Sequence, residues 1–187
     1  MKSKFLAIFD LDGTLFDTKD VNYHAYAQAL KEYGYALDYS YFCEFCNGRH
    51  YTEFLPKVSS SDKTIMSGIH EMKKELYPTY LDKARPNKHL FRILESMTGY
   101  YKSVVTTASK ANCHQILEYF GKKDCFELIL TQEDFMKIKP DPEGFLLAMR
   151  YFGITHENTV IFEDSEVGIE AALRSGASVF AVKKSYD

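Results

Sequence analysis

Long apolar runs are missing from this chain. No stretch approaches the roughly 20 apolar residues that a membrane-spanning helix requires. The run Phe5 to Phe9, after the basic start Met1-Lys2-Ser3-Lys4, is cut off by Asp10 and is too short for the apolar region of a signal peptide. A cytoplasmic protein with no membrane partner is expected. An excess of either charge is missing too. The 23 Lys and Arg against 26 Asp and Glu leave a net charge of −3, which gives no electrostatic case for nucleic acid as a partner. Lys73-Lys74 and Lys183-Lys184 read as solvated faces. Cysteine is scarce: Cys43, Cys46, Cys113 and Cys125 are too few for a disulfide scaffold and fit a reducing compartment. Cys43 and Cys46 have C-x-x-C spacing, but no second pair with ligand spacing follows, and the flanking Phe42 and Phe45 read as helix packing. The histidines form no pair at metal-binding helical spacing, and there is no internal repeat. What is present, 187 residues with 45% hydrophobic and 26% charged, suffices for one good core and a small second lobe.

Short apolar runs recur at Phe5 to Phe9, Ser103 to Thr107, Leu128 to Thr131, Thr159 to Phe162 and Ser178 to Val182. Segments of helical period lie between them, an alternation that predicts parallel strands joined by crossover helices. Three helices are well marked. One has Cys113, Ile116, Leu117 and Phe120 on its apolar face, Ser109 as N-cap and Gly121 as stop. Asp141 is expected to cap the second, with Pro142 at its first position and Gly153 after its end. The third follows Asn87 and ends at Gly99. Residues 17–83 break the alternation and read as several tyrosine-rich helices, with Arg85-Pro86 marking the return. The expected fold is α/β: a Rossmann-like parallel sheet flanked by helices, formed by residues 1–16 and 84–187, with an inserted helical cap, 17–83. An insert placed there could close on a ligand at the carboxyl edge of the sheet.

Ile8-Phe9-Asp10-Leu11-Asp12-Gly13-Thr14 is the most informative stretch. Asp and Gly disfavour strand interiors, so the first strand delivers Asp10 and Asp12 at its carboxyl end, where open α/β sheets bind ligands. Three further features end or follow predicted strands. Thr106-Thr107-Ala108-Ser109-Lys110 offers hydroxyls and backbone N–H groups at a strand-to-helix turn, an anion cradle. Lys139-Pro140-Asp141-Pro142 holds a lysine in a stiffened chain, able to meet a phosphoryl oxygen or a carboxylate. Glu163-Asp164-Ser165 repeats the acidic strand end, and paired acids there suit Mg²⁺, a hard cation that takes oxygen ligands.

In this order and spacing, these features resemble the haloacid dehalogenase superfamily of hydrolases, in its aspartyl-phosphate branch with a helical cap inserted after the first motif. The chain is similar to the beta-phosphoglucomutase-like and phosphoglycolate phosphatase-like phosphatases of that superfamily. D-x-D-G-T fixes four residues, so an accidental match is expected on the order of once in 10⁵ positions. The resemblance implies Asp10 as nucleophile and Asp12 as general acid and base. It implies Thr107 as the phosphoryl-binding hydroxyl, with Thr106 the alternative, and Lys139 as the stabilising cation. Mg²⁺ is the implied cofactor, held by Asp10, the carbonyl of Asp12 and Asp164, with Glu163 supporting from behind. Mg²⁺ and Lys139 together are expected to keep Asp10 ionised. Gly13 and Thr14 shape the turn beside the substrate.

Substrate contacts are expected from Ala108 and Ser109, and from Asn22, Gly48 and Arg49 of the insert. Asn22 and Tyr51 fall where a sugar phosphomutase carries histidine and arginine, which weakens a mutase reading. The leading function is a Mg²⁺-dependent phosphatase acting on a small phosphate ester such as a sugar phosphate, as a monomer or weak dimer. A sugar phosphomutase and a phosphometabolite-binding regulatory module are the alternatives.

Overall fold

A computed structural model describes residues 4–183. Met1, Lys2 and Ser3 of the basic start, and Lys184 of the second lysine pair, lie outside the described residues. In chain order the elements are β1 (Phe5–Phe9), β2 (Phe16–Asp17), α1 (Lys19–Glu32), α2 (Tyr39–Tyr41), a π-helical turn (Phe42–Cys46), α3 (Tyr51–Val58) and α4 (Lys63–Leu76). After a 3₁₀ stretch (Tyr77–Lys83) come β3 (Arg85–Pro86), α5 (Lys88–Ser96), β4 (Tyr100–Val105), α6 (Lys110–Tyr119), β5 (Leu128–Leu130), α7 (Glu143–Phe152), β6 (Thr159–Glu163), α8 (Glu166–Arg174) and β7 (Ser178–Ala181). The chain divides into two compact units: Met1–Asp17 with Arg85–Asp187, and Thr18–Ala84. No helix among the described residues is long and apolar enough to cross a membrane.

The first unit is built on a five-stranded sheet of order β5-β4-β1-β6-β7, every neighbouring pair parallel. The strand order reverses at β1, and ligands of such sheets bind in the crevice outside the carboxyl ends at that point. Its core packs Leu6, Ile8, Val105 and Ile161 of the sheet against Phe145, Ala148 and Met149 of α7 and Ala171 and Ala172 of α8.

Several element ends differ from the sequence reading. β4 begins at Tyr100, because Tyr100, Tyr101 and Lys102 continue the ladder opposite Phe5, Leu6 and Ala7 although their composition is polar. It ends at Val105, before the threonines. Helix α7 starts at Glu143, one residue later than expected, with Pro142 in the capping position. Asp141 still caps it, its Oδ1 accepting from Glu143 N at 3.1 Å. Helix α5 stops at Ser96 rather than running to Gly99.

The helical unit packs around Tyr26, Ala29, Leu30, Phe42, Phe54, Leu55 and Ile69. Asp62 starts α4 by accepting from Thr64 N and Ile65 N. Two sequence readings are corrected here. Lys73 does not lie on a solvated face: it is buried, its ammonium 4.7 Å from the Tyr77 ring centroid and 5.3 Å from that of Tyr26, where cation–π attraction replaces part of its hydration. Phe45 is exposed, its ring leaning on Tyr41, whereas Phe42 is buried as expected.

His70, one turn before Lys73, stacks on Tyr51 with ring centroids 4.0 Å apart, and its Nδ1 is hydrogen-bonded to the Tyr26 hydroxyl at 2.9 Å. Burial first, and the neighbouring Lys73 and Lys74 charges next, lower its pKa to about 4 from an ordinary 6.5. The unfolded chain therefore binds the proton more readily between those values. Stability from neutral His70 is full above pH 6.5 and is lost as the pH falls toward 4. Urea unfolding at pH 5 is expected to show about 1 kcal/mol less stability from this group than at pH 7, after allowance for the partly exposed ring. His70→Gln should flatten that difference.

Candidate active site

Three strand ends and one loop build the site. β1 ends at Phe9, and Asp10 N still donates to Phe162 O at 3.0 Å, so the acid leaves the sheet from a fixed backbone. The chain then turns sharply. Leu15 N and Phe16 N both donate to Leu11 O, and Gly13 N donates to Phe16 O at 2.7 Å. Gly13 has φ +92°, and a Cβ there would run into the Asp164 carboxylate. Only glycine meets both demands. β6 ends in Glu163, and Asp164 follows it. Helix α8 passes so closely beneath Glu163 that a Cβ at Gly168 would collide with its carboxylate.

Lys139, from the loop before α7, stands between these ends. Its Nζ donates to Asp10 Oδ1 at 2.6 Å, to Glu163 Oε2 at 2.7 Å and to the carbonyl of Val105 at 3.2 Å, using all three ammonium protons. Its side chain is 7% exposed and lies over the Phe145 ring. The other Glu163 oxygen accepts from Asp164 N, Ser165 N and the Ser165 hydroxyl. Thr14 Oγ1 donates to Asp164 Oδ1 at 3.0 Å.

Burial, then the Glu163 and Asp164 charges, raise the Asp10 pKa well above the ordinary carboxylate range, with Lys139 pulling the other way. Lys139 pulls the Asp10 carboxyl toward the ionised form, as the sequence reading expects of it and Mg²⁺ together, against burial and the two neighbouring acids. Burial opposes the charge on Lys139 itself, but Asp10 and Glu163 outweigh it, and the ammonium is held charged. Carboxylate oxygens of Asp10, Glu163 and Asp164 all lie within 4.8 Å of one another. Three acids around one lysine leave negative charge in excess, and their oxygens are hard donors. Both features fit Mg²⁺. Glu163 accepts at both oxygens from Lys139, Ser165 and backbone N–H groups, whereas Asp10 accepts from Lys139 and Asp164 from Thr14, each at its Oδ1; a cation in this cluster would be held chiefly by Asp10 and Asp164.

Asp12 follows in the turn. Burial, followed by the charges of Asp12 and Asp10, pushes the Cys113 thiol up, which places both acids within electrostatic reach of one buried group on α6. The two threonines differ. Thr106 is buried, its hydroxyl accepting from Ala108 N at 3.0 Å, while Thr107 is exposed past the strand end. Ser109 Oγ accepts from Asn112 N and caps α6. Within the helical unit, Asn22 donates to the Thr18 hydroxyl at 3.2 Å, and Gly48 at φ +80° forms a turn that leaves Arg49 exposed.

A family model described as haloacid dehalogenase-like hydrolase matches residues 7–182. The chain belongs to that family. Among its haloacid dehalogenase-like relatives, fructose-1-phosphate phosphatase YqaB of Escherichia coli is 26% identical over 180 residues, covering 94% of this chain and 95% of that protein. The 2-deoxyglucose-6-phosphate phosphatase 1 of Saccharomyces cerevisiae is 30% identical over 207 residues, covering 97% of this chain and 81% of that protein. The crystal structure of CbbY from Rhodobacter sphaeroides in complex with phosphate superposes with a TM-score of 0.81 at 24% identity, over 97% of this chain and 88% of that one. Sequence reasoning about this haloacid dehalogenase-like site missed the Val105 carbonyl, which no side-chain pattern reveals. It also missed Ser165 as a partner of Glu163, although E-D-S stood in plain view, and the contact between Asn87 and the first motif.

Proposed function

We propose that this chain is a Mg²⁺-dependent phosphatase that hydrolyses a small phosphorylated metabolite, a sugar phosphate or similar phosphomonoester, through an aspartyl-phosphate on Asp10. The observation that carries this reading is the buried Lys139 ammonium bonded to Asp10 and Glu163, with Asp164 beside them. Such an arrangement suits phosphoryl transfer, in which positioning and charge neutralisation do most of the catalysis. Mg²⁺, when held by Asp10, Asp164 and the carbonyl of Asp12, supplies positive charge that draws the phosphate dianion to a carboxylate.

A carboxylate oxygen of Asp10 bonds to phosphorus as the ester P–O bond breaks, and the carboxyl of Asp12 gives its proton to the leaving alkoxide. In the second half, Asp12 takes a proton from water, whose oxygen bonds to phosphorus, and inorganic phosphate leaves Asp10. One difficult displacement thus becomes two easier ones. Thr107 is the hydroxyl assigned to a phosphoryl oxygen, which its exposure favours over the engaged Thr106. The sugar-phosphate class is supported by the activities named for the Escherichia coli and yeast relatives.

Free phosphate measured across a panel of phosphorylated metabolites should show release that disappears on metal stripping and returns with Mg²⁺. Undiminished turnover by a metal-stripped sample would exclude the mechanism. Isomerised product without free phosphate would instead establish a mutase, and tight binding with no turnover a regulatory module.

A further inference from the structure

We propose that Asn87 and Thr14 form a two-bond relay that fixes the Asp164 carboxylate for its cation, so that the segment returning to the sheet from the helical insert is tied to metal binding. This rests on the assignment of Asp164 to Mg²⁺ made above. Thr14 is fully buried, and its only hydroxyl proton goes to Asp164 Oδ1 at 3.0 Å. Its carbonyl accepts from Asn87 Nδ2 at 3.2 Å, a contact that joins positions 73 residues apart. Asn87 is itself buried and fastened by further bonds, one of them from Phe91 N to its carbonyl at 3.0 Å. Its Oδ1 accepts from Leu90 N at 3.1 Å, and its backbone N donates to Leu15 O at 2.8 Å. It directly follows β3, which pairs antiparallel with β2 in the register Phe16 to Pro86 and Asp17 to Arg85.

The physical need for such a relay comes from the carboxylate. The terminal torsion of aspartate is broad and nearly two-fold, so a strand end fixes where Asp164 begins but not where its oxygens point. A hydroxyl bonded to Oδ1 chooses one orientation. The Gly13 backbone packs against the same carboxylate, where a Cβ would not fit. Thr14 can hold that orientation only while its own peptide is held, and the Asn87 carboxamide holds it at the carbonyl. Partners that orient a metal ligand commonly change metal affinity by about 10–100-fold when removed. Thr14 and Asn87 are therefore positioning residues, acting through Asp164.

The test is Mg²⁺ binding to the full chain without substrate, by isothermal calorimetry, with Mn²⁺ electron paramagnetic resonance as a second readout. Thr14→Val, which keeps the shape and removes the donor, should weaken binding on the order of tenfold. Thr14→Ser, which restores the donor, should recover most of that loss. Asn87→Ser keeps an oxygen able to cap α5 but cannot reach the Thr14 carbonyl, and it should weaken binding by several-fold without abolishing it. Parental affinity in Thr14→Val, or equal losses in Thr14→Val and Thr14→Ser, would overturn the relay. Parental affinity in Asn87→Ser would overturn the link to the returning segment. Asp164→Asn separates the two levels: if it binds Mg²⁺ as the parent does, the assignment of the cation to Asp164 fails, whatever the relay variants show.

Discussion

Asp10→Asn is expected to lower phosphomonoester turnover by at least about 10⁴-fold, a loss typical when a covalent nucleophile is removed. The substitution preserves the size of the side chain and its place at the end of β1, where the backbone N–H bonded to Phe162 is untouched. It removes the negative oxygen that would bond to phosphorus and weakens the pairing with Lys139, now 2.6 Å from Oδ1. Steady-state phosphate release would be read beside trapping with beryllofluoride, which should give an adduct on the parent and none on the variant. Parental turnover in Asp10→Asn would rule out the aspartyl-phosphate route, since no other carboxylate replaces that position in the turn.

Lys139→Met is expected to damage stability and activity together, for different reasons. Its ammonium is the bonded cation shared by two buried acids, Asp10 and Glu163, whose side chains are 8% and 1% exposed. Removing one partner of a buried ion pair leaves charge uncompensated and typically costs about 3–5 kcal/mol, measurable by urea unfolding at neutral pH in metal-free buffer. Loss of the cation that holds Asp10 in place should lower turnover by a further 10² to 10³, roughly the cost of deleting one oxyanion donor. The double variant Lys139→Met with Glu163→Gln separates the effects. Neutralising Glu163 should recover part of the stability and none of the activity. A single variant with parental stability would mean that the lysine is not the centre of the buried charge balance.

Much of the site was legible because its residues sit where local patterns change. β1 was readable to the residue, since an apolar run ends at an acid that no strand interior favours. Glu163-Asp164 stood out for the same reason at the end of β6, and Lys139 because two prolines stiffen the chain around it. Features set by distant neighbours were not legible. Tyr100-Tyr101-Lys102 became strand because β1 offers ladder partners in register. Lys73 is buried because Tyr26, 47 positions earlier in the chain, lies within cation–π reach of it, as does Tyr77. The helix after Asn87 was readable from its periodicity, but the Thr14 carbonyl that takes the Asn87 carboxamide is invisible to spacing.

The saturation of Glu163 bears on the Mg²⁺ proposed for this centre. An acid gripped by a lysine, a serine and the backbone has no spare freedom to wrap around a visitor, so much of a bound ion's surroundings would fall to solvent. Ions held by few protein oxygens keep part of their hydration and come and go easily. Occupancy of this centre would then rise and fall with the free magnesium around it, making the enzyme responsive to its ionic milieu rather than the keeper of a permanent metal.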